Sequence, residues 1–280
     1  MKGGTHSARV KVIVIVPTPR RAPIGLFGVR VTKQHLKANM RNTQKPLPKD
    51  IDPIGRVNLH SLFYTIQGEG PLAGSPAVFI RLSGCNLQCP GCDTEYTGGK
   101  QYHPEEIRNA IVSLRMSLKI PKPIIVITGG EPLRQNIDEL CSILLDSKYI
   151  VQIETNGTLP WPTNWEESLR VLMDPDFHIV CSPKTGRVNK SLMPFISAMK
   201  YVVEAGHTNT NGLPTRALQG NVQPWQTLSE LPEPVPVYVQ PYDAGDDTND
   251  NEKHLKTAVD CCLENGHKLC LQVHKIANLD

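Results

Sequence analysis

Seven short apolar, β-branched runs recur from residue 78 onward, each followed by polar or glycine-rich residues, with stretches of helical period between several of them. The runs are Val78–Leu82, Ile124–Thr128, Tyr149–Glu154, His178–Cys181, Lys200–Val203, Val235–Val239 and Leu269–Val273. Apolar runs of this length separated by amphipathic segments read as βα units around a parallel sheet. Pro104 followed by Glu105 and Glu106 marks a helix start, and Ile107, Ile111, Leu114 and Leu118 line one face of that helix. Ile137, Leu140 and Leu144 repeat the spacing, as do Leu255, Val259 and Cys262, and a short helix is expected around Trp225–Leu231. The fold class expected is α/β, an open or partial βα barrel. In a parallel barrel the C-terminal strand ends share one face, and that face carries the active site. Here those ends run into Cys85–Cys92, Gly129-Gly130-Glu131-Pro132, Thr155-Asn156-Gly157, Ser182-Pro183-Lys184, Glu204-Ala205-Gly206, Gln240-Pro241-Tyr242 and His274-Lys275.

The first of these loops carries Cys85, Cys89 and Cys92 in the spacing CxxxCxxC. Three thiolates within eight residues suit a soft metal centre, and iron–sulfur clusters take cysteine ligands. No fourth ligand lies nearby, so a [4Fe–4S] cluster held here keeps one iron open for chemistry. The remaining cysteines, Cys141, Cys181, Cys261, Cys262 and Cys270, sit in apolar surroundings and read as buried packing. Eight cysteines arranged this way do not form a secreted disulfide framework, which points to a reducing, cytoplasmic setting. No apolar run reaches the length of a transmembrane helix, so no membrane association is expected.

Charge divides the chain. Residues 1–49 hold eleven of the 30 Lys and Arg and none of the 27 Asp and Glu, which leaves nineteen basic against 27 acidic residues, a net of −8, in the remainder. A mildly acidic body argues against direct nucleic-acid binding, whose footprint is a basic stripe. Residues 1–53 are expected to be a basic N-terminal extension, flexible or not native, with a start at Met40 as one reading and an organelle transit peptide as another. Val10–Val16 could form a strand that Pro17 stops. The catalytic domain is expected over 54–280.

CxxxCxxC after a first barrel strand, with Gly-Gly-Glu-Pro after the second, resembles the radical S-adenosylmethionine enzymes. Tyr64-Thr65-Ile66-Gln67-Gly68-Glu69-Gly70, Arg81, Cys92-Asp93-Thr94, Gln152-Ile153-Glu154-Thr155, Ser182-Pro183-Lys184 and Gln272-Val273-His274-Lys275 narrow the likeness to the 7-carboxy-7-deazaguanine synthases, over roughly Asn58 to Asp280. The resemblance implies a partial, TIM-like (β/α) barrel and a [4Fe–4S] cluster whose open iron chelates S-adenosylmethionine. Reductive cleavage of that cofactor gives a 5′-deoxyadenosyl radical. The radical abstracts hydrogen from C6 of 6-carboxy-5,6,7,8-tetrahydropterin and is returned. Ring contraction with loss of ammonia then gives 7-carboxy-7-deazaguanine, in a queuosine-type route. A Mg²⁺ ion assists.

Carried onto this sequence, the resemblance assigns Cys85, Cys89 and Cys92 to the cluster and Thr94 to Mg²⁺. It assigns Gly91, Cys92, Asp93, Gly130, Glu131, Ser182, Pro183 and Lys184 to the cofactor, with Glu131 accepting from its ammonium group and Gly129 and Gly130 permitting close approach. Ile66, Gln67, Gly68, Glu69, Arg81, Thr128, His274 and Asp280 fall to the substrate, Arg81 meeting its carboxylate; for Glu69 a structural ion pair is the alternative. Gly91 departs from the pattern, since many family members place an aromatic residue there to stack near adenine. His60, His103, His178 and His207 read as structural, and Trp161, Trp165 and Trp225 as loop anchors. Asp246-Asp247 and 249–252 read as a solvated acidic loop leading into a helix. A flavodoxin-type electron donor and a homodimer are the implied partners. The competing reading is a glycyl-radical enzyme activase, which shares the cluster and cofactor and would consume S-adenosylmethionine as a reagent.

Overall fold

The computed structural model describes residues 42–280 other than 165, 218–221 and 280, together with the backbone of 13–15 and 29–30. Seven parallel strands form its centre: β4 (Pro76–Leu82), β6 (Ile124–Gly129), β7 (Val151–Thr155), β8 (Phe177–Cys181), β9 (Ile196–Val203), β10 (Val237–Pro241) and β11 (Lys268–Leu269). They lie side by side in sequence order. Beyond β4 the ten-residue β3 (Val57–Ile66) is antiparallel, and it carries β5 (Lys100–Tyr102) and the backbone strands β1 (Ile13–Ile15) and β2 (Val29–Arg30). The sequence pattern marks the seven parallel strands, whereas β3 and β5 go unmarked because their polar and apolar residues do not form a continuous run.

The last strand is the exception. Leu269–Val273 was expected to be extended, but only Lys268–Leu269 pairs with β10, and the chain turns at Cys270 into the short helix α5 (Val273–Ile276). Trp225–Leu231 forms only a 3₁₀ turn at Leu228–Glu230.

Three longer helices cover one side of the sheet: α1 (Pro104–Leu118), α2 (Asp138–Asp146) and α4 (Thr248–Asn265), with the single turn α3 (Leu169–Leu172) between β7 and β8. α1 opens on the expected Pro104, and Glu106 accepts from the His103 amide at 2.9 Å. Ile107, Ile111 and Leu114 are buried, as are Ile137, Leu140 and Leu144 at α2, each such side chain contributing about 1.5–3 kcal/mol on leaving water. On α4 the inward face falls elsewhere. Ala258 and Cys261 are buried while Leu255 is exposed, because a small residue lets the helix lie close to the sheet.

Strand parity sorts the two faces of the sheet. Val78, Ile80 and Leu82 of β4 join the large core under the helices, as do Ile125 and Ile127 of β6, Val151 and Ile153 of β7, and Met199 and Tyr201 of β9. The alternate residues point the other way. At the N-terminal strand ends these are apolar, with Ala77, Ile124 and Val126 packed against Leu72 and Phe79. Nearer the C-terminal ends they become Arg81, Thr128, Gln152, Glu154, Lys200 and Gln240. Among the described residues the edges of the sheet do not pair with each other. Yet the loop after β3 reaches across to β7, β9 and the chain end, since Gln67 bonds Glu154, Glu69 bonds Lys200, and the Gly70 amide bonds Cys270 Sγ at 3.2 Å. The sheet is therefore curled into a partial barrel, its open seam bridged by side chains.

Candidate active site

Leu82 ends β4, and residues 83–99 then form neither helix nor strand. Main-chain groups in such a loop need partners outside regular structure. Several come from the end of β6: Gly130 N donates to Leu82 O (3.3 Å) and Glu131 N to Gly84 O (2.9 Å). The glycines permit this approach. A Cβ on Gly129 would stand 2.2 Å from Leu82 O, and its φ of +143° disfavours any side chain; a Cβ on Gly130 would stand 2.1 Å from Gly84 O and 2.8 Å from Cys85 Cβ. Gly-Gly therefore presses β6 against the base of the cysteine loop.

Glu131 was expected to take the cofactor's ammonium group. Its carboxylate is wholly buried and accepts from Leu133 N (3.0 Å), Thr155 Oγ1 (2.7 Å) and Asn156 N (2.7 Å). Burial raises its pKa, with those three donors opposing. These bonds tie the end of β6 to the Thr155-Asn156-Gly157 turn. Asn156 extends the tie to the cysteine loop, donating to Asn86 Oδ1 at 3.0 Å.

Cys85 and Cys89 are buried, Cys92 is half-buried, and all three are free thiols. Burial pushes the Cys85 thiol up to about 12 and Cys89 to about 11; the Lys184 ammonium opposes the rise at Cys89 and Cys92. Uncomplexed, these sulfurs hold their protons, so metal binding must displace them. Among the described residues, no three His, Cys, Asp or Glu side chains are already drawn together as a cage for a single ion. Three soft sulfur donors on one loop are the donor set that iron–sulfur clusters take.

On the next strand ends, Lys184 Nζ donates to Ser182 Oγ at 2.6 Å, and Pro183 between them is buried. Burial and the nearby Lys200 ammonium lower the Lys184 pKa. Gly91 is half-buried in the cysteine loop. Thr94 Oγ1 donates to the exposed Asp93 carboxylate at 3.3 Å, and Asp93 also lies 3.5 Å from Lys275 Nζ on α5, which pairs in turn with Asp243.

The residues expected to meet substrate gather on the concave side. Glu154 is their hub, accepting from Gln67 Nε2 (2.9 Å), Thr128 Oγ1 (3.0 Å) and Gln152 Nε2 (3.3 Å). Arg81 lies 5.2 Å from the centroid of the Phe63 ring, which is stacked on Phe79. Its Nε is buried without a partner, and it forms no ion pair among the described residues. Burial lowers its pKa, with Asp93 and Glu154 opposing. Glu69 is paired: its carboxylate is held by Lys200 and by Gln272 Nε2 at 2.8 Å. Ile66 ends β3 opposite Pro76, and Gly68 O accepts from Val273 N at 3.1 Å. A Cβ on Gly68 would fall 2.0 Å from His274 Nδ1, so His274 sits directly on that glycine. Asp280 lies outside the described residues, as does Trp165; Trp161 and Trp225 are buried, Trp161 Nε1 donating to Asp138.

The roles of Lys200, Gln272 and Glu154 were not anticipated. Lys200 had a signal: it is the one charged residue within the run of β9, at the parity that faces away from the helices.

Comparison with known proteins agrees with this geometry. The Radical SAM superfamily pattern matches residues 79–213, from the middle of β4 past β9. The 7-carboxy-7-deazaguanine synthase of Rhodospirillum rubrum is 40% identical over 231 residues, covering 79% of this chain and 92% of its own length. That of Rickettsia prowazekii is 38% identical over 232 residues, covering 80% of this chain and 89% of its own. The chain belongs to the 7-carboxy-7-deazaguanine synthase family. The fold agrees with the crystal structure of QueE from Escherichia coli, at a TM-score of 0.55 and 21% identity over 78% of this chain and 94% of that one. Membership makes this a radical S-adenosylmethionine enzyme, with the [4Fe–4S] cluster and cofactor that the superfamily uses. The relatives give no support to the glycyl-radical activase reading. No helix among the described residues is long and apolar enough to cross a membrane.

Proposed function

We propose that the chain converts 6-carboxy-5,6,7,8-tetrahydropterin to 7-carboxy-7-deazaguanine and ammonia, as a carbon–nitrogen lyase in 7-deazapurine, queuosine-type biosynthesis. Substrate and products balance without net oxidation, so the cofactor serves as a catalyst. Cys85, Cys89 and Cys92 would hold the cluster; Ser182 and Lys184, with Gly91 and Asp93, would border the cofactor. When bound, cluster and cofactor together supply the radical that starts the reaction. Thr94 would contribute a neutral oxygen to Mg²⁺, a hard ion that keeps waters and can borrow the substrate carboxylate. A flavodoxin-type donor and a homodimer complete the reading.

The observation that carries it is Arg81. A half-buried arginine beside stacked aromatic rings, its Nε buried without a partner and no carboxylate paired to it among the described residues, is ready for a flat anionic heterocycle. Gln67, Thr128 and Glu154 lie on the same concave side as hydrogen-bonding groups for the ring edge. Steady-state kinetics of Arg81→Met test the assignment. Loss of a hydrogen-bonded charge should lower kcat/KM by about 10- to 150-fold through a higher KM, corresponding to ~1.5–3 kcal/mol. Arg81→Lys should recover part of the loss. An unchanged KM for the carboxylated pterin in Arg81→Met would remove Arg81 from the substrate site.

A further inference from the structure

The segment before the body is part of its working end. Residues 42–50 lie upstream of the domain boundary expected at 53/54, yet they run along the irregular cysteine loop and supply many of its main-chain partners. Asn42 Nδ2 donates to Cys89 O (3.1 Å) and to Tyr96 Oη (3.3 Å), and Asn42 N donates to Pro90 O (3.4 Å). Asn42 Oδ1 accepts from Gln44 N (3.0 Å) and Gln44 Nε2 (3.2 Å). Gln44 Nε2 also donates to Thr94 O at 2.8 Å, while its Oε1 accepts from Tyr96 N at 2.8 Å. Leu47 N donates to Cys85 O at 2.7 Å. Arg134 anchors the far end, donating to the carbonyls of Leu47, Pro48 and Ser83. Asn42 and Tyr96 are buried.

These bonds fall on the residues that matter. The carbonyls of Cys85, Cys89 and Thr94, two cluster ligands and the Mg²⁺ candidate, are each held by this one strap. With no ladder of its own, the loop depends on such side-chain and cross-chain bonds for its shape. We propose that Asn42 and Gln44 are positioning residues that set the spacing of the cysteine loop, and so the environment of the cluster and of Thr94. The proposal rests on the cysteines holding a cluster, as read above.

The test uses the full-length chain, reconstituted anaerobically with iron and sulfide. Gln44→Glu keeps the acceptor for Tyr96 N and loses the donors to Thr94 O and to Asn42 Oδ1. Asn42→Asp keeps Oδ1 and loses the donors to Cys89 O and Tyr96 Oη. Asp52→Asn, which touches no residue of the cysteine loop, is the control. Iron and sulfide content, the electron paramagnetic resonance spectrum of the reduced protein, the rate of cluster bleaching in air and the melting of the metal-free protein are measured for each. Both strap variants should still melt cooperatively without metal, a few degrees below the wild type. Loaded, they should give a shifted spectrum and bleach about fivefold faster, the ratio expected for one net hydrogen bond lost; Asp52→Asn should match the wild type. Strap variants that load fully and show the wild-type spectrum and bleaching rate would overturn the positioning role. A wild-type chain that takes up no cluster would instead overturn the reading of the cysteines, and the positioning role with it.

Discussion

Glu69 and Lys200 form a largely buried ion pair that joins the loop after β3 to the middle of β9. Burial alone would raise the pKa of Glu69 and lower that of Lys200. Each is overruled by the other's charge, so Glu69 lies below its ordinary value and Lys200 above. The Glu69 contribution is present above about pH 4.3 and is lost as pH falls through its lower folded value. The Lys200 contribution is present below about pH 10.4 and is lost as pH rises through its higher one. The pair is thus whole across the neutral range. Glu69→Gln leaves a buried ammonium without its partner and should cost about 3–5 kcal/mol in denaturant unfolding near pH 7. Glu69→Gln with Lys200→Met should cost less than Glu69→Gln alone; a double variant as unstable as the sum of the singles would show that the two do not interact. Gly68 gives a steric prediction. Gly68→Ala drives a methyl into the His274 ring, so the substitution should destabilise, and Gly68→Ala/His274→Ala should regain most of the loss in a thermal melt. Gly129→Ala should find no such suppressor, because its methyl would meet the Leu82 backbone. The polar residues that gather at the strand ends were legible in the sequence, yet the three bonds that hold the Glu131 carboxylate were not. Gly-Gly-Glu-Pro looks the same whether its carboxylate faces a ligand or three buried donors.

At the scale of elements, the cysteine loop and the chain end meet through Lys275, which reaches Asp93 and Asp243 from α5. Both carboxylates are 40% or more exposed, so water screens these pairs. Lys275→Met should therefore cost under about 1 kcal/mol, well below the cost of opening the Glu69–Lys200 pair. Its effect should appear instead as faster amide exchange confined to α5 and the Cys92–Thr94 stretch. Unfolding loss equal to that of Glu69→Gln would contradict the ranking by burial. Elements followed the sequence where hydrophobic period was unambiguous, as in α1, α2, β4 and β6 to β10. They departed where tertiary contacts decide. Residues 270–273 are apolar enough for a strand, but the contacts of Gln272 with Glu69 and of Val273 with Gly68 pull the chain off the edge of β10. α4 buries Ala258 and Cys261 rather than the larger apolar residues, a choice set by closeness to the sheet and invisible to spacing alone.

For the whole molecule, a curled parallel sheet was readable from alternating runs, and the working face from the polar ends of those runs. The bridges over the open seam were not, since Gln67–Glu154 and Glu69–Lys200 join residues 87 and 131 positions apart. Those bridges leave Arg81 as a half-buried cation on the concave side, with no carboxylate paired to it among the described residues, facing the space where a carboxylated pterin is proposed to lie. The most direct test of that proposal is product analysis under anaerobic turnover. The reconstituted chain is given reductant, Mg²⁺, 6-carboxy-5,6,7,8-tetrahydropterin and S-adenosylmethionine in less than stoichiometric amount. The expected result is 7-carboxy-7-deazaguanine and ammonia in equal amounts, exceeding the S-adenosylmethionine supplied. A protein carrying its full cluster that forms no deazaguanine acid, or stops after one product per S-adenosylmethionine, would contradict the account.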